Sequence, residues 1–539
     1  MRITRRDFLK ISGVGMLAAS LPGCNAQGSP NDDDLPEEII PLPTELGPDG
    51  YPIYIEDAVT GPAGLFSHGL ASGDPTSDAV ILWTRVNPEN RTEPVLVFWE
   101  CAIDEAFSMR RGAGWIAATA RHDFTAKADA QHLPSASSLY YRFRAQNQMS
   151  VVGRTKTADP LASEAHFALA SCSRFELGYF TAYRAIAELE NLDAVLHVGD
   201  YIYEYAWDTS GVRATSPAHE LFGLADYRER FACHRSDANL QALHARHPMI
   251  SVWDDHEIVN DGFSNGMPPN SSPSPIDFAT RKRNALRAYA EWMPIRMNAD
   301  GTIHRSFRFG PADLFMLDTR YEARAQQVGI GDQAALENPE RSLLGAAQEA
   351  WFEERIANTD ATYCVVAQQV MLAQLALRGG SIAAGGPVLI NADQWDGYQA
   401  SRARMFDQLE TRENVVVLTG DLHVSFANEL VRDPWDESAY DNATGRGALG
   451  VEILTPGITS PNSLPPTILD FGLQENPHIR YGEVEHRGFV SVDFTAEKMR
   501  ATFHHLADVR DEGTALLPPV TFAMAVGSHH LVREDEIGG

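Results

Sequence analysis

Lysine is scarce in this chain of 539 residues, where it occurs only at positions 10, 127, 156, 282 and 498. Lysine and arginine together number 44 against 73 aspartates and glutamates, which gives a formal net charge of −29. Non-specific nucleic-acid binding requires a basic surface, so this balance argues against a nucleic-acid partner. An acidic surface fits an extracytoplasmic or salt-tolerant soluble protein, and an acidic metal site could add to the negative charge.

Cysteine and long apolar runs are also rare. The five cysteines are odd in number and widely spaced, which argues against a disulfide framework. The apolar stretch near the N-terminus is too short and too rich in glycine to indicate a bilayer span. No serine or threonine stands in a G-x-S-x-G elbow, so a covalent serine mechanism has no support.

Residues 1–24 read as a leader, because basic residues precede a short stretch of small and apolar ones. TRRDFLK resembles the twin-arginine export signal, which implies the twin-arginine export machinery as a partner and a periplasmic or secreted location. LPGC resembles a lipoprotein cleavage box with a lipid anchor at Cys24, although Pro22 is unusual in such a box. The alternative is an amphipathic N-terminal helix. Residues 25–58, rich in Pro, Asp, Glu and Gly, predict a flexible tether.

Residues 59–160 carry β signals. ILWTRV, PVLVFWECAI and SLYYRFRAQ are β-branched and aromatic runs, and turn-rich segments such as SGDPTSD separate them. This spacing predicts a small N-terminal β-sandwich of the fibronectin-like kind. ADPLASE, residues 158–164, is the expected boundary.

Residues 161–539 alternate short apolar runs with helical patterns, which predicts an α/β domain whose strands are buried on both faces. Most of these runs end in a polar residue of the type that binds ligands. The runs are HFALASCS, DAVLHVGD, MISVWDDHE, LFMLDTR, YCVVAQQV and NVVVLTGDLH. Helical patterns include TAYRAIAELE, TRKRNALRAYAEWM and AAQEAWFEERI. Ligands in such folds bind at the carboxyl ends of the strands.

Seven residues at these strand ends form one candidate constellation. They are Cys172, Asp200, Asp254, Asp255, His256, Asp421 and His423. Carboxylates crowded at one sheet edge repel one another unless cations neutralise them. Oxygen ligands suit hard cations, whereas thiolate, phenolate and imidazole suit iron or zinc, so the set predicts a mixed site for two or more metals. The alternative is a group of unrelated helix caps and salt bridges.

GDYIYE, WDDHEIVND and TGDLH resemble the dispersed metal-binding motifs of the calcineurin-like metallophosphatases. Within that superfamily the chain resembles the alkaline phosphatase D (PhoD-like) family, through ASCSRFELG, HVGDYIYE, VWDDHE, LDTRY, DQWDGY and TGDLHVSF in this order. FSHGLASGDP and AVILWTRV resemble its N-terminal β-sandwich, and NPHIRYGEVEHRGFV its C-terminal region. The resemblance covers roughly residues 60–510. It implies a layered α/β/β/α metallophosphatase-type domain at 161–539, including the C-terminal strands, preceded by the small all-β domain.

The resemblance also implies an iron centre, Fe(3+), with calcium ions, Ca(2+), beside it. Carried over by position, the iron ligands are Cys172, Asp200, Tyr203 and His423. Asp200 bridges to calcium, Asp255 and Asp421 complete that side, and Asn260 is a weaker candidate. Tyr201 and Tyr205 are expected to be packing residues.

Two residues are expected to act on the substrate. His256 follows Asp255 and is assigned to binding phosphoryl oxygens or protonating the leaving group, the alternative being a histidine that only orients a ligand. Arg320 in LDTRY is a candidate phosphate-binding residue, the alternative being a structural arginine paired with nearby acids. Arg174 is equally compatible with a phosphate clamp and with a surface ion pair.

The sequence thus predicts a monomeric, extracytoplasmic, metal-dependent phosphoesterase that hydrolyses phosphodiesters, phosphomonoesters or both with a metal-activated water or oxide. One alternative is a phospholipase D-type hydrolase that acts on phospholipid head groups. A second is a thiol hydrolase that uses Cys172 with His256 or His423, which requires a thiol of low pKa. A third, from a different class, is an inactive, metal-stabilised surface binding protein.

Overall fold

The computed structural model describes residues 40–58, 60–269, 271–377, 388–462 and 466–534. These residues form two compact units. The first unit combines the chain up to Asp159 with Phe231–Ile250 and Arg287–Ile303. The second unit consists of Pro160–Arg230, Ser251–Leu286 and the chain from His304 onward. The predicted leader and the first part of the predicted tether, up to residue 39, lie outside the described residues.

The first unit is a β-sandwich with a continuous apolar core. One sheet has the order β11-β1-β2-β5 and the other β4-β3-β6-β7, with β8 also paired to β6. The bounds are β1 Leu70–Gly73, β2 Val80–Arg85, β3 Val95–Ala102, β4 Arg110–Ala118, β5 Thr125–Ala130, β6 Ser138–Ala145, β7 Gln148–Met149, β8 Gly153–Lys156 and β11 Met249–Ser251. Val80 and Leu82 of one sheet share a core with Val97 and Phe143 of the other. The predicted all-β sandwich is confirmed.

Two later segments of the chain also belong to the first unit, which the sequence analysis did not anticipate. Helix α3, Ala238–Arg246, is anchored there because the hydroxyl of Tyr141 donates to the carbonyl of His244 at 3.4 Å. The Gln241 side chain donates to the carbonyl of Ser67 at 2.9 Å. The first compact unit is therefore not one continuous segment of the chain. The predicted domain boundary near residue 160 stays a prediction.

The second unit contains two large sheets. One has the order β24-β23-β22-β21-β9-β10, the other β12-β13-β14-β17-β19-β18-β20, and β15-β16 form a small hairpin. The bounds are β9 Ala165–Ala170, β10 Ala194–His197, β12 Arg305–Phe309, β13 Ala312–Met316, β14 Tyr363–Ala367, β15 Ala376–Leu377, β16 Val388–Leu389, β17 Val415–Thr419, β18 Ser425–Val431, β19 Ala448–Leu454, β20 Ile479–Glu483, β21 Arg487–Phe494, β22 Lys498–Leu506, β23 Val520–Ala525 and β24 Val532–Arg533. The C-terminal strands extend these sheets, as predicted.

Helices alternate with the strands along the chain. The bounds are α1 Thr181–Glu188, α2 Leu224–Arg235, α4 Phe278–Trp292, α5 Gln333–Leu336, α6 Gly345–Asn358, α7 Gln399–Leu409 and α8 Pro466–Glu475. Short 3-10 helices lie at Ala120–His122, Phe175–Leu177, Asp255–Glu257 and Trp395–Tyr398.

The layers follow from the apolar contacts. Phe352 of α6 and Phe406 of α7 pack against the seven-stranded sheet. Tyr183 of α1 bonds His197 of β10 on the other sheet, 2.9 Å from hydroxyl to Nε2. Between the sheets the Phe167 and Phe309 rings meet at 5.2 Å. The predicted α/β/β/α layering is confirmed.

Parallel pairing brings several strand ends to one edge of the unit. β9 pairs parallel with β10, and β13, β14, β17 and β19 form a parallel block. The loops that leave the carboxyl ends of such strands are where α/β folds place their functional residues. No helix in the described ranges is both long and apolar enough to cross a membrane.

Position 199, between β10 and Asp200, requires glycine because of its backbone conformation and its close neighbours. Its φ is +105°, and an added Cβ would lie 2.3 Å from the Cβ of Asp254. We expect Gly199→Ala to lower the free energy of unfolding by about 3 kcal/mol or more, since strain and overpacking combine. Gly527, with φ +78° and open space around it, is the control, and Gly527→Ala should cost about 1–2 kcal/mol. Urea unfolding measures both, and equal losses would contradict the packing argument.

Candidate metal centre

Strained loops after the strands present the predicted ligands. Cys172 follows β9, Asp200 follows β10, and Asp421 and His423 follow β17. All four have a left-handed backbone, with φ of 61°, 55°, 63° and 56°. Residues other than glycine rarely adopt this conformation, and it is concentrated at functional sites because the surrounding structure must hold it.

The first group of donors consists of Cys172, Asp200, Tyr203 and His423. The Cys172 thiol, an Asp200 oxygen and a His423 nitrogen lie within 4.8 Å of one another. The Tyr203 hydroxyl donates to Asp200 Oδ2 at 2.8 Å and lies 3.1 Å from His423 Nε2. Cys172, Asp200 and Tyr203 are almost fully buried. These four side chains converge, as the sequence analysis expected of an iron site.

Residues 460–461 orient this group. The Ser460 hydroxyl lies 2.7 Å from the Tyr203 hydroxyl and 2.8 Å from the carbonyl oxygen of Cys172. His423 Nδ1 lies 2.8 Å from the carbonyl oxygen of Pro461. Because a carbonyl only accepts, Nδ1 carries a hydrogen, and Nε2 is the nitrogen directed toward Tyr203 and Asp200.

A second group shares Asp200 with the first. Oxygens of Asp200 and Asp255 and a nitrogen of His256 lie within 4.8 Å of one another. His256 Nδ1 lies 2.7 Å from Glu204 Oε2, and both residues are buried. Glu204 also accepts the backbone N–H of Asn260 at 2.7 Å. The Glu204 carboxylate therefore fixes the His256 ring.

Glu257 holds the loops of this second group together. Its carboxylate accepts the backbone N–H groups of Asp200 at 3.0 Å, Tyr201 at 2.6 Å and Asp254 at 2.6 Å. Burial raises the pKa of Glu257 to about 8, and Asp200 adds to the rise while these N–H groups oppose it.

A third group consists of carboxylates alone. Oxygens of Asp254, Asp255 and Asp421 lie within 4.8 Å of one another. Asp255 accepts the backbone N–H of His256 at 3.0 Å, and Asp421 Oδ2 accepts the Gln394 amide at 2.6 Å. Asp254 Oδ2 is buried and has no hydrogen-bond partner in the described part of the chain. One buried carboxylate oxygen is thus available to a cation.

Arg320 lies inside the carboxylate group. Its guanidinium donates to Asp254, to Asp421 Oδ1 at 2.6 Å and to Asp393 Oδ2 at 2.6 Å, and it is fully buried. Arg324 supports Asp393 from the other side at 2.5 Å. This arrangement favours the structural alternative for Arg320 over phosphate binding, because every end of the guanidinium already contacts a carboxylate.

The remaining candidates lie at the margin of the site. The Asn260 amide oxygen accepts the Tyr205 hydroxyl at 2.8 Å. Its ligand role stays a prediction. Arg174 pairs with Glu176 at 2.7 Å and lies over the Tyr205 ring at 5.0 Å, which favours the ion-pair alternative. Tyr201 is buried, as expected of a packing residue.

The electrostatics of the site favour bound cations. Burial, with Asp200 nearby, raises the pKa of the Cys172 thiol well above its usual value. Burial likewise raises the pKa of Asp254 well above its usual value and that of Asp255 to about 8. Burial opposes ionisation of Asp200 too, but His256 and His423 outweigh it and lower its pKa to about 2. Metal ions would stabilise the ionised forms that burial alone disfavours.

The chemistry of the donors fits the implied ions. Thiolate, phenolate and imidazole ligands suit a transition metal, and the first group combines all three in Cys172, Tyr203 and His423. The third group offers oxygen ligands only, which suit calcium. Asp200 belongs to the first and second groups, and Asp255 to the second and third.

Comparisons with known proteins agree with this geometry. Residues 167–503 match the family model described as PhoD-like phosphatase, and residues 57–159 match its N-terminal domain. Alkaline phosphatase D of Bacillus subtilis (strain 168) is 36% identical over 486 residues, which cover 85% of this chain and 80% of that protein. A solved structure of PhoD superposes with a TM-score of 0.79 at 33% identity, covering 89% of this chain and 93% of the other.

This fold and these donors define a metal-dependent hydrolase of phosphoric esters. The resemblance described from the motifs is confirmed. The chain belongs to the PhoD-like phosphatase family.

Several residues of the site were missed by sequence reasoning. Glu204 lies within HVGDYIYEY and Asp393 opens DQWDGY, so both stood in quoted motifs without an assigned role. Their acidic side chains next to candidate ligands were the available signal. Ser460 and Pro461 gave no comparable signal, since they act through a hydroxyl and a backbone carbonyl.

Stability without bound metal should depend on pH through Asp255. Its pKa is about 8 when folded and near 3.8 when exposed, so the folded state binds more protons between these values. The free energy of unfolding of the chelated protein should therefore fall as pH rises from about 4 to about 8. Added calcium should flatten this slope, because it binds the ionised carboxylates.

Thermal unfolding of chelated and calcium-loaded protein across this range tests the expectation. Asp255→Asn should reduce the dependence of stability on pH, although Glu257 should maintain part of it. Asp360→Asn, at a side chain that is 96% exposed, is the control and should leave the dependence unchanged. A chelated protein that gains stability over the same range would contradict the argument.

Arg320→Met should destabilise the protein, because it leaves Asp254, Asp393 and Asp421 without their shared counter-charge. Breaking a buried ion pair costs about 3–5 kcal/mol, and urea unfolding measures this loss. The control is Arg308→Met, which removes partly exposed pairs with Asp313 and Asp360 and should cost about 0–1 kcal/mol. Unchanged stability together with a raised KM for a phosphate ester would instead support the phosphate-binding role.

Proposed function

We propose that this enzyme is an exported phosphodiesterase and phosphomonoesterase with an iron–calcium centre. The position of Asp200 supports this most directly. Its carboxylate is grouped with a thiol and an imidazole on one side and with Asp255 and His256 on the other. A carboxylate in that position can bridge two different cations.

Iron, Fe(3+), is assigned to Cys172, Asp200, Tyr203 and His423, and calcium, Ca(2+), to Asp200, Asp255 and Asp421. The unpartnered oxygen of Asp254 supports adding this residue to the calcium side. When bound, such ions supply positive charge for the phosphoryl oxygens and lower the pKa of water.

The protein's own side chains orient His256 and supply a proton to the leaving group. Glu204 fixes the His256 ring at Nδ1, so Nε2 is the nitrogen assigned to the substrate. Burial disfavours the imidazolium, but Glu204, Asp255 and Asp200 outweigh it and raise the pKa of His256 well above its usual value. A protonated His256 would donate its proton to the oxygen of the departing alcohol.

The three alternative functions are not equally supported. A thiol hydrolase requires a low-pKa cysteine, whereas burial raises the pKa of Cys172. An inactive binding protein loses its support because the chain is a phosphoric-ester hydrolase by family and fold. Hydrolysis of phospholipid head groups remains a variant of the same chemistry, distinguished by substrate alone.

Location and partners remain part of the proposal. TRRDFLK supports export by the twin-arginine machinery to the periplasm or the medium, and LPGC supports a lipid anchor at Cys24. Both motifs lie outside the described residues. The acidic net charge of −29 supports the absence of a nucleic-acid partner. A monomer is proposed as the working form.

Hydrolysis of a chromogenic phosphodiester by the mature protein tests the function. Activity should disappear on chelation and return with calcium if iron is retained. Cys172→Ser and Asp200→Asn should each lower kcat/KM about 100-fold or more, with loss of bound iron measured by elemental analysis. Cys364→Ser, the same change in buried β14, should leave activity and iron unchanged. Full turnover by Cys172→Ser without iron would overturn the proposed centre.

A further inference from the structure

A largely apolar cavity of 480 Å³ adjoins the candidate centre. Its apolar wall includes Met371, Leu375, Ile390, Leu422 and Phe426. The candidate ligand His423 lines the same cavity, with about 20% of its side chain exposed. The volume falls within the range of about 300–1,000 Å³ that is usual for small-molecule pockets.

One side chain connects the cavity wall to the carboxylate group. Gln394, which is 4% exposed and lines the cavity, donates from Nε2 to Asp421 Oδ2 at 2.6 Å. Its Oε1 accepts the backbone N–H of Met371 at 2.6 Å. The apolar wall and the candidate calcium side are therefore fixed to each other by a single buried amide.

The rest of the wall is held by hydrogen bonds among the described residues. The N–H of Trp395 donates to the carbonyl of Met371 at 3.2 Å. The N–H of Leu375 donates to Asp396 Oδ2 at 2.9 Å, and the N–H of Ile390 to the carbonyl of Leu375 at 3.3 Å. Such a wall is preformed, so a ligand does not have to order it on binding.

Resting on the proposed function, we propose that this cavity binds an apolar substituent of the phosphate ester, either an aryl ring or a short alkyl chain. The phosphoryl group lies at the cations while the substituent extends past His423 toward Ile390 and Leu375. A larger apolar substituent removes more apolar surface from water when it enters the cavity. The cavity therefore favours esters with a hydrophobic group over those with a methyl group or a sugar.

Phosphonates test the proposal without depending on turnover. Binding of methyl-, butyl-, hexyl- and phenylphosphonate to the metal-loaded mature protein is measured by calorimetry. We expect Kd to fall about fourfold for each methylene that enters the cavity, consistent with the transfer of a CH₂ group from water. The hexyl and phenyl compounds distinguish an alkyl from an aryl preference.

Ile390→Gln adds a polar group at the cavity rim, where Ile390 is 36% exposed. It should flatten the dependence of Kd on chain length and leave the methylphosphonate Kd unchanged. The control is Val526→Gln, an apolar residue of the same unit that is 39% exposed and does not line the cavity, and it should keep the full dependence.

The outcomes separate the two proposals. A Kd that does not change from methyl to hexyl, or a dependence that survives Ile390→Gln intact, would overturn the cavity's role. Failure to hydrolyse methyl p-nitrophenyl phosphate, with the chain-length dependence intact, would refute the phosphodiesterase while supporting the cavity. No binding of any phosphonate by protein that still hydrolyses methyl p-nitrophenyl phosphate would overturn the cavity's role and leave the phosphodiesterase in place.

Discussion

Mutual repulsion among buried carboxylates is the constraint around which the second unit is arranged. Asp200, Asp254 and Asp255 are almost completely buried, and Asp393 and Asp421 lie beside them, while Arg320 and Arg324 provide two positive charges. When all five carboxylates are ionised, their negative charge exceeds the positive charge in a region from which water is largely excluded. The fold tolerates this excess through backbone N–H donors, a fixed arginine and donor groups suited to metal ions.

The soft and hard donors are separated within this region. Cys172, Tyr203 and His423 lie on one side of Asp200, and the carboxylates lie on the other. A site built in this way discriminates between metals by ligand type, because thiolate and phenolate do not suit calcium and a cluster of carboxylates does not require iron.

The sequence was informative wherever a short apolar run ended in a polar residue. HVGD, VWDDH and TGDLH predicted both the buried strands and the edge where their ends meet, since parallel pairing determines that edge. The role of Arg320 could not be predicted in the same way, because the spacing in LDTRY does not show whether the guanidinium points toward substrate or toward acids. Glu204 and Asp393 required the three-dimensional contacts with His256 and Arg320.

The fold class could also be predicted from the sequence, and the parts of the fold that were not predicted share one cause. β-Branched runs and helical periodicity predicted the sandwich and the layered domain. The segments 231–250 and 287–303 join the first unit through contacts distant in sequence, which local patterns do not encode, so their place in this unit was missed. Long-range packing determines which unit such a segment joins, and the local sequence does not encode that packing.

The discontinuity of the first unit has a consequence for the order in which the protein folds. Its sandwich strands leave the ribosome early, but the pieces that finish its packing follow only at residues 231–250 and 287–303. The nascent N-terminal sheets must therefore persist with incomplete cover while the intervening chain is made, which is the period when exposed strand edges aggregate most readily. Chaperone protection during synthesis is accordingly more important for this unit than its small size suggests.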